Sequence, residues 1–149
     1  MSLKDRLMND MKASMKLKQE GKEKLAVIRM VRAAVKNKEI DLKRDLNEDE
    51  VTQVISKEVK QRKDAIDEYE KAGREDIVAK LRVEIDILNE YLPQQLTAEE
   101  VEAIAQGAIA ETGATSAKDM GKVMKAIMPK VSGRADGKIV NKIVQQLLN

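Results

Sequence analysis

The sequence predicts an all-α protein, and three observations carry that prediction. No stretch alternates apolar and polar residues with period two over a useful length. Val, Ile and Leu recur instead at spacings of three and four, the period of an amphipathic helix. Cap and stop residues (Ser2, Asn47, Thr97, Ser116 and Asp136; Gly21, Gly73 and Gly113) fall between the periodic runs. The expected architecture is an N-terminal helical domain of about four helices, residues 1–92, followed by a C-terminal three-helix domain, residues 93–149.

The first helix starts near Ser2, whose hydroxyl can cap it, with Asp5 three residues on. Leu3, Leu7, Met8, Met11 and Met15 form its expected apolar stripe, the methionines as adaptable core packing. Gly21 breaks it. The second helix runs from about Lys22 to Lys43, with Leu25, Ile28, Val31, Val35 and Leu42 inward. Its cations, Lys24, Arg29, Arg32, Lys36 and Lys38, are spread around the helix and read as a solvated face. Asn47 with Glu50 at the third helical position signals a capping box, followed by Val51, Val54, Ile55, Val59, Ile66 and Tyr69. Glu48, Asp49 and Glu50 resemble a metal cluster only superficially. Carboxylates in a first helical turn favour the helix dipole, which is reason enough for them. Gly73 stops the third helix, and the fourth carries Ile77, Val78, Leu81, Ile85, Leu88 and Tyr91.

Pro93 disfavours helical geometry at Leu92 and marks the boundary. Thr97 with Glu100 then caps the fifth helix, which buries Val101, Ile104, Ala105, Ala108 and Ile109 and ends at Gly113. Ser116 caps the sixth, with Asp119 at its third position, and Met120, Val123, Met124 and Ile127 point inward. Pro129 is expected to end it. Asp136 caps the seventh, whose inward set is Ile139, Val140, Ile143, Val144 and Leu147. Gly121 inside the sixth helix costs about 1 kcal/mol relative to Ala, and close packing is its expected reason.

Composition narrows the function classes. With 42% apolar and 36% charged residues the chain reads as soluble and globular. It has no Cys, His, Trp or Phe. Disulfide and thiol chemistry are excluded, and a cytoplasmic location is expected. No apolar run is long enough to span a membrane, and the N-terminus lacks the features of a signal peptide, so no membrane association is expected. No nucleophile elbow, P-loop or dinucleotide fingerprint occurs, and no metal-ligand spacing is recognisable. No catalytic residue, cofactor or metal is therefore assigned.

Charge is arranged in blocks. Residues 1–45 carry an excess of six positive charges, 46–92 an excess of five negative, and 93–115 four acids with no base. From Ser116 onward seven Lys and Arg face two acids. Lys118, Lys122 and Lys125 share one helix face, and Lys138 and Lys142 another, with Lys130 and Arg134 in the loop region between. Gly133 and Gly137 would let backbone amides approach a ligand. A phosphate backbone suits such a surface. No aromatic residue follows Tyr91, so bases could stack only on the Arg134 guanidinium. Shape and phosphate reading of folded RNA is the expected mode.

The run Met120-Gly121-Lys122-Val123-Met124-Lys125 through Gly133-Arg134-Ala135-Asp136-Gly137-Lys138-Ile139-Val140-Asn141 resembles the signature of the GatB/YqeY family. That family shares the C-terminal tail domain of the B subunit of tRNA-dependent amidotransferases. Met30-Val31-Arg32, Lys60-Gln61-Arg62-Lys63, Ala72-Gly73-Arg74-Glu75-Asp76 and Tyr91-Leu92-Pro93 are similar to the stand-alone YqeY-like members, so the resemblance covers nearly the whole chain. It implies two all-α domains and a tail that contacts tRNA, with Lys122, Lys125, Arg134, Lys138 and Asn141 as tRNA-facing residues. With the charge pattern, the candidate RNA-binding set is Lys118, Lys122, Lys125, Lys130, Arg134, Lys138, Asn141 and Lys142. The expected partners are tRNA or other structured RNA, and tRNA-charging or amidotransferase machinery. The resemblance also implies a carbon–nitrogen ligase label with glutamine as amido-N-donor, inherited from an enzyme whose catalytic parts are not in this sequence. A component of amide transfer and a protein-interaction module without an RNA role are the alternatives.

Overall fold

The computed structural model describes residues 1–149, which form seven α-helices and no strand. They are α1 (Leu3–Lys16), α2 (Lys22–Leu42), α3 (Glu48–Lys71), α4 (Glu75–Asn89), α5 (Ala98–Thr112), α6 (Met120–Val131) and α7 (Gly137–Leu148). Turns of 3-10 helix occupy Lys18–Gly21 and Ala117–Asp119. The chain divides into two compact units, Met1–Leu92 and Pro93–Asn149, each with its own apolar core.

In the first unit the Ser2 hydroxyl accepts from the Asp5 N–H at 3.1 Å and starts α1. Leu3, Leu7 and Ser14 are its buried residues, and Met11 packs half-buried beside them. The apolar stripe is narrower than expected, because Met8 and Met15 are 41% and 50% exposed. A step of 100° per residue carries both round the helix from Leu3 and Leu7, and Ser14 holds the inward position. The reason for so small a residue is Gly21. A Cβ there would lie 2.2 Å from the Ser14 carbonyl oxygen, so Gly21 allows a close crossing as well as breaking the helix.

Val27, Ile28, Val31 and Val35 are the buried positions of α2. Leu42, expected inward, is exposed, because Lys43 takes a left-handed conformation (φ 57°) that ends the helix. The chain then turns back and Leu46 enters the core in its place. Glu39 fixes that return: its carboxylate accepts from the Leu46 N–H at 2.8 Å and from the Lys4 ammonium. Both contacts, the Lys4 hydrogen bond foremost, hold the Glu39 carboxyl below its ordinary pKa.

The Asn47–Glu50 capping box forms in both directions at the start of α3. Glu50 also receives both Nη atoms of Arg44 at 2.8 Å, and that bond, with the Asn47 N–H, lowers its pKa to about 2. Glu48 accepts from the Leu3 N–H at 2.9 Å. Two carboxylates of the acidic triplet thus tie helix ends together. Tyr69, expected inward, is 37% exposed at the outer end of α3. Gly73 (φ 71°) makes the reversal into α4.

Between α3 and α4 lies a buried cation. Arg62 is 7% exposed; it donates to Glu58 at 2.8 Å, to Glu84 at 3.0 Å and to the Met30 sulfur at 2.9 Å. Tyr91 closes this unit. Its hydroxyl donates to Asp10, and the Arg6 guanidinium stands 5.1 Å from its ring centroid. Burial and the Asp10 carboxylate push the phenol well above its usual pKa.

In the second unit the Thr97 hydroxyl accepts from the Glu100 N–H at 3.1 Å, and α5 ends at Gly113 (φ 69°). Ser116 caps the 3-10 turn and not α6, which begins at Met120. Pro129 does not end α6. The helix runs one half-turn further to Val131, whose burial to 1% exposure holds that last turn in place. Proline forfeits one backbone bond there, a smaller loss than exposing Val131. Gly121 has no close neighbour either, since a Cβ on it would meet nothing within 4 Å.

Candidate nucleic-acid interface

Two stripes with period four shape the tail. Val123, Ile127 and Val131 of α6 and Val140, Val144 and Leu148 of α7 are buried, and with Val101, Ala105 and Ala108 of α5 they fill the core of the second unit. Residues about half a helical turn away from such a stripe must face solvent. On α6 these are Lys122 and Lys125, and on α7 Lys138 and Lys142; all four are exposed. Lys125 and Lys142 have no hydrogen bond or ion pair. Lys122 adds to the field that keeps the Asp119 carboxyl below its ordinary pKa, a shift caused first by the Thr115 N–H bond to it at 3.0 Å.

The remaining candidates divide. Lys118 is exposed in the 3-10 turn ahead of α6, and Asn141 is exposed on α7 beside Lys142. Lys130 pairs with Glu111 of α5 at 3.4 Å, so it leans towards an acidic helix. Arg134 is half-buried and structural. Its Nε donates to the Gln94 carbonyl at 3.4 Å, and its own carbonyl accepts from the Leu96 N–H at 2.8 Å. Gln95 donates to the Gly133 carbonyl at 2.9 Å. The Gly133–Arg134 turn, with Gly133 at φ 74°, thus anchors residues 94–96.

That turn offers little to an anion. The N–H groups of Arg134 and Ala135 both donate to the Val131 carbonyl, at 2.9 and 3.1 Å, so they are engaged within the turn. The start of α7 is occupied too, because the Asp136 carboxylate accepts from the Lys138 N–H at 2.9 Å. A carboxylate already complements the helix dipole there, and a phosphate would meet like charge. The loop expected to approach a ligand is therefore closed, and the outward lysines of α6 and α7 remain. Charge is polarised across this unit, since Glu99, Glu100, Glu102 and Glu111 all sit on α5, which has no basic residue.

A second basic face lies in the first unit. Arg29, Arg32 and Lys36, expected as dispersed solvated charges, line one groove between α1 and α2. Their spacing of three and then four was the signal that they share a face. No group of three or more acidic side chains is placed to hold a metal ion, and no helix is long and apolar enough to cross a membrane.

The family model for YqeY-like proteins matches residues 4–148. A Saccharomyces cerevisiae protein named "Altered inheritance of mitochondria protein 41, mitochondrial" is 40% identical over 89 residues, 59% of this chain and 47% of its own length. Proteins of the same name from Lachancea thermotolerans and Pyrenophora tritici-repentis are 38% and 30% identical, over 67% and 96% of this chain and 53% and 79% of their own lengths. The chain spans about half the length of the yeast relatives it matches. These names overturn the expectation of a cytoplasmic protein: the relatives are mitochondrial by name. That expectation rested on the missing cysteines, and a chain without thiols is indifferent to the redox state of its compartment.

Proposed function

The chain belongs to the YqeY-like protein family, and from that premise we propose that its second unit binds tRNA or another structured RNA through the outward lysines of α6 and α7. The protein acts in this reading as an accessory to tRNA-charging or amidotransferase machinery. One observation carries it: Lys122, Lys125, Lys138 and Lys142 are exposed opposite the buried stripes, while the acids of residues 93–115 are confined to α5. Cations held in water on one side of a small unit attract a polyanion by releasing its counterions. Neither tyrosine lies in this unit, so stacking adds nothing and phosphate neutralisation dominates.

A folded tRNA transcript titrated with the full chain tests this, a mitochondrial tRNA first in view of the relatives' names. Three to five phosphate contacts give a slope of log K against log salt of about −2 to −5. Lys122→Glu with Lys125→Glu flattens that slope by roughly 1 to 2 and weakens binding about tenfold or more. Unchanged affinity in a double variant with an intact helical circular dichroism spectrum removes the tail from consideration. The purified chain given misacylated tRNA, glutamine, ATP and Mg²⁺ is expected to yield no amidated product. Amidation without added subunits would move the reading to amide transfer.

A further inference from the structure

The groove between α1 and α2 has an apolar floor and a basic rim. Leu7, Met8, Ala33 and Val35 contribute apolar surface, and the volume is about 510 Å³, open to solvent along its length. Met8, 41% exposed, lies along the α1 side, and Met11 and Met15 continue that flank of the helix. Methionine is unbranched and polarisable, and adapts to varied apolar partners.

The rim is unbalanced in charge. Glu39 is the sole acid lining the groove, and Lys4 and the Leu46 N–H already engage it. Arg29 makes no hydrogen bond or ion pair. Arg32 directs one Nη at the Met11 sulfur, 3.0 Å away, and meets no carboxylate. Lys36 acts on Glu39 only through space. These three cations run along α2 at positions i, i+3 and i+7, spanning about 10 Å, two turns of helix.

We propose that this groove docks an acidic amphipathic helix of a protein partner, with aliphatic side chains on the floor of Leu7, Met8, Ala33 and Val35 and carboxylates against Arg29, Arg32 and Lys36. Charge complementarity selects the occupant. Two turns of a partner helix present aliphatic residues at i, i+3, i+4 and i+7 with carboxylates beside them, matching the floor and the rim at once. Arginine suits carboxylates through its forked, two-point geometry. A phosphate backbone would leave the aliphatic floor unmatched, and the groove offers no aromatic ring to a base. The apolar atoms lie inside a concavity, out of reach of a flat lipid surface.

The test is a displayed library of helical peptides selected on the immobilised full chain. Enriched peptides are expected to carry aliphatic residues at helical spacing flanked by Asp and Glu. Their binding should fall about tenfold or more on Arg29→Glu with Arg32→Glu and Lys36→Glu. Lysine in place of the peptide's glutamates should restore binding to that variant and abolish binding to the original chain. If reversal at half-buried Arg32 disturbs folding, Arg29→Gln with Lys36→Gln, both at exposed positions, carries the same comparison. The Lys122→Glu, Lys125→Glu variant should bind the peptides unchanged, which separates this groove from the RNA reading. No enrichment over the unselected library, enrichment without an acidic excess, or equal binding to the charge-reversed chain overturns the proposal. So does a folded RNA whose affinity falls in the groove variant while no acidic peptide is selected.

Discussion

The two units use the same secondary structure and opposite economies of charge. The first unit is built on branched and bulky side chains, with Leu7, Ile28, Ile55 and Leu88 at most 1% exposed, and it is laced with ion pairs. Several of these join distant parts of the chain, such as Arg62 to Glu84 and Lys24 to Glu90. The second unit has a slimmer core of Val and Ala with Ile127 and Leu148, and Lys130 pairs with Glu111 at its surface. Its cross-links gather around Gly133 and Arg134, one between backbones and two from the Gln95 and Arg134 side chains to backbone carbonyls. Charge substitutions should therefore register as stability in the first unit and as binding in the second. The row Arg29, Arg32 and Lys36 is the first unit's exception, which is why it is read as a docking surface.

Arg62 offers the largest test of that contrast. Arg62→Met removes the cation and leaves Glu58 and Glu84 facing each other without it. Breaking a buried pair from one side costs about 3–5 kcal/mol. Hydrogen exchange should show protection lost across residues 1–92, while Lys125→Met in the second unit leaves exchange within experimental error of the original chain. Equal, small effects at both positions would mean that the engaged charges of the first unit add little to its stability.

Gly21 comes next. Its φ of −91° is open to alanine, so the obstacle is steric alone, and the obstructing atom is a backbone oxygen that cannot swing aside. Forcing α1 and α2 apart at Ser14 should cost roughly 2–3 kcal/mol, in the range of overpacked cores. A lowered urea midpoint with unchanged helical content is the expected result. An unaltered midpoint would show that the crossing has room to relax.

How much of this was legible in the sequence depended on the range of the interaction. The all-α class and the caps at Ser2, Asn47, Thr97 and Asp136 are local, set by a 3.6-residue period and by side chains reaching their own backbone within three residues. The Arg62–Glu84 pair spans 22 positions, and no local pattern marks one cation among Lys60, Arg62 and Lys63 as the buried one. Pro129 and Gly121 misled because a local rule met a tertiary fact: Val131 is buried and holds the last turn, and no neighbour crowds Gly121. The same limit governs the candidate site. The sequence identifies the cations, but only the fold reveals that Arg134 and Lys130 are engaged while Lys125 and Lys142 are not.

Acid tests the first unit through Glu50. Its carboxyl is held near pKa 2 by Arg44 and the Asn47 N–H, below the unfolded value, so its contribution to stability is present above the unfolded pKa of about 4.5. That contribution is lost as pH falls from there towards 2. The melting temperature of the first unit should decline over that window, and Glu50→Gln should flatten the decline while changing little at pH 7 to 5 beyond a constant offset. An acid transition identical in the variant would show that other carboxylates, not this capping pair, govern acid sensitivity.

The smallest effect tests the second unit by its glycine. Gly121 lies in the first turn of α6 with open space where a Cβ would be, so Gly121→Ala meets no steric objection. Alanine restricts the unfolded chain and favours the helix, and should stabilise the unit by about 0.5–1 kcal/mol. The sign is opposite to that of the same substitution at Gly21, although both glycines adjoin helix starts, because only Gly21 faces a neighbouring backbone. The position also bears on the RNA reading, since Gly121 adjoins Lys122 on the outer side of α6. If a polyanion approaches α6 closely, the added methyl should raise stability and weaken folded-RNA binding together; if the lysines reach the phosphates at arm's length, stability should rise with affinity unchanged. Loss of stability in Gly121→Ala would mean that α6 packs more tightly at its start than this structure places it.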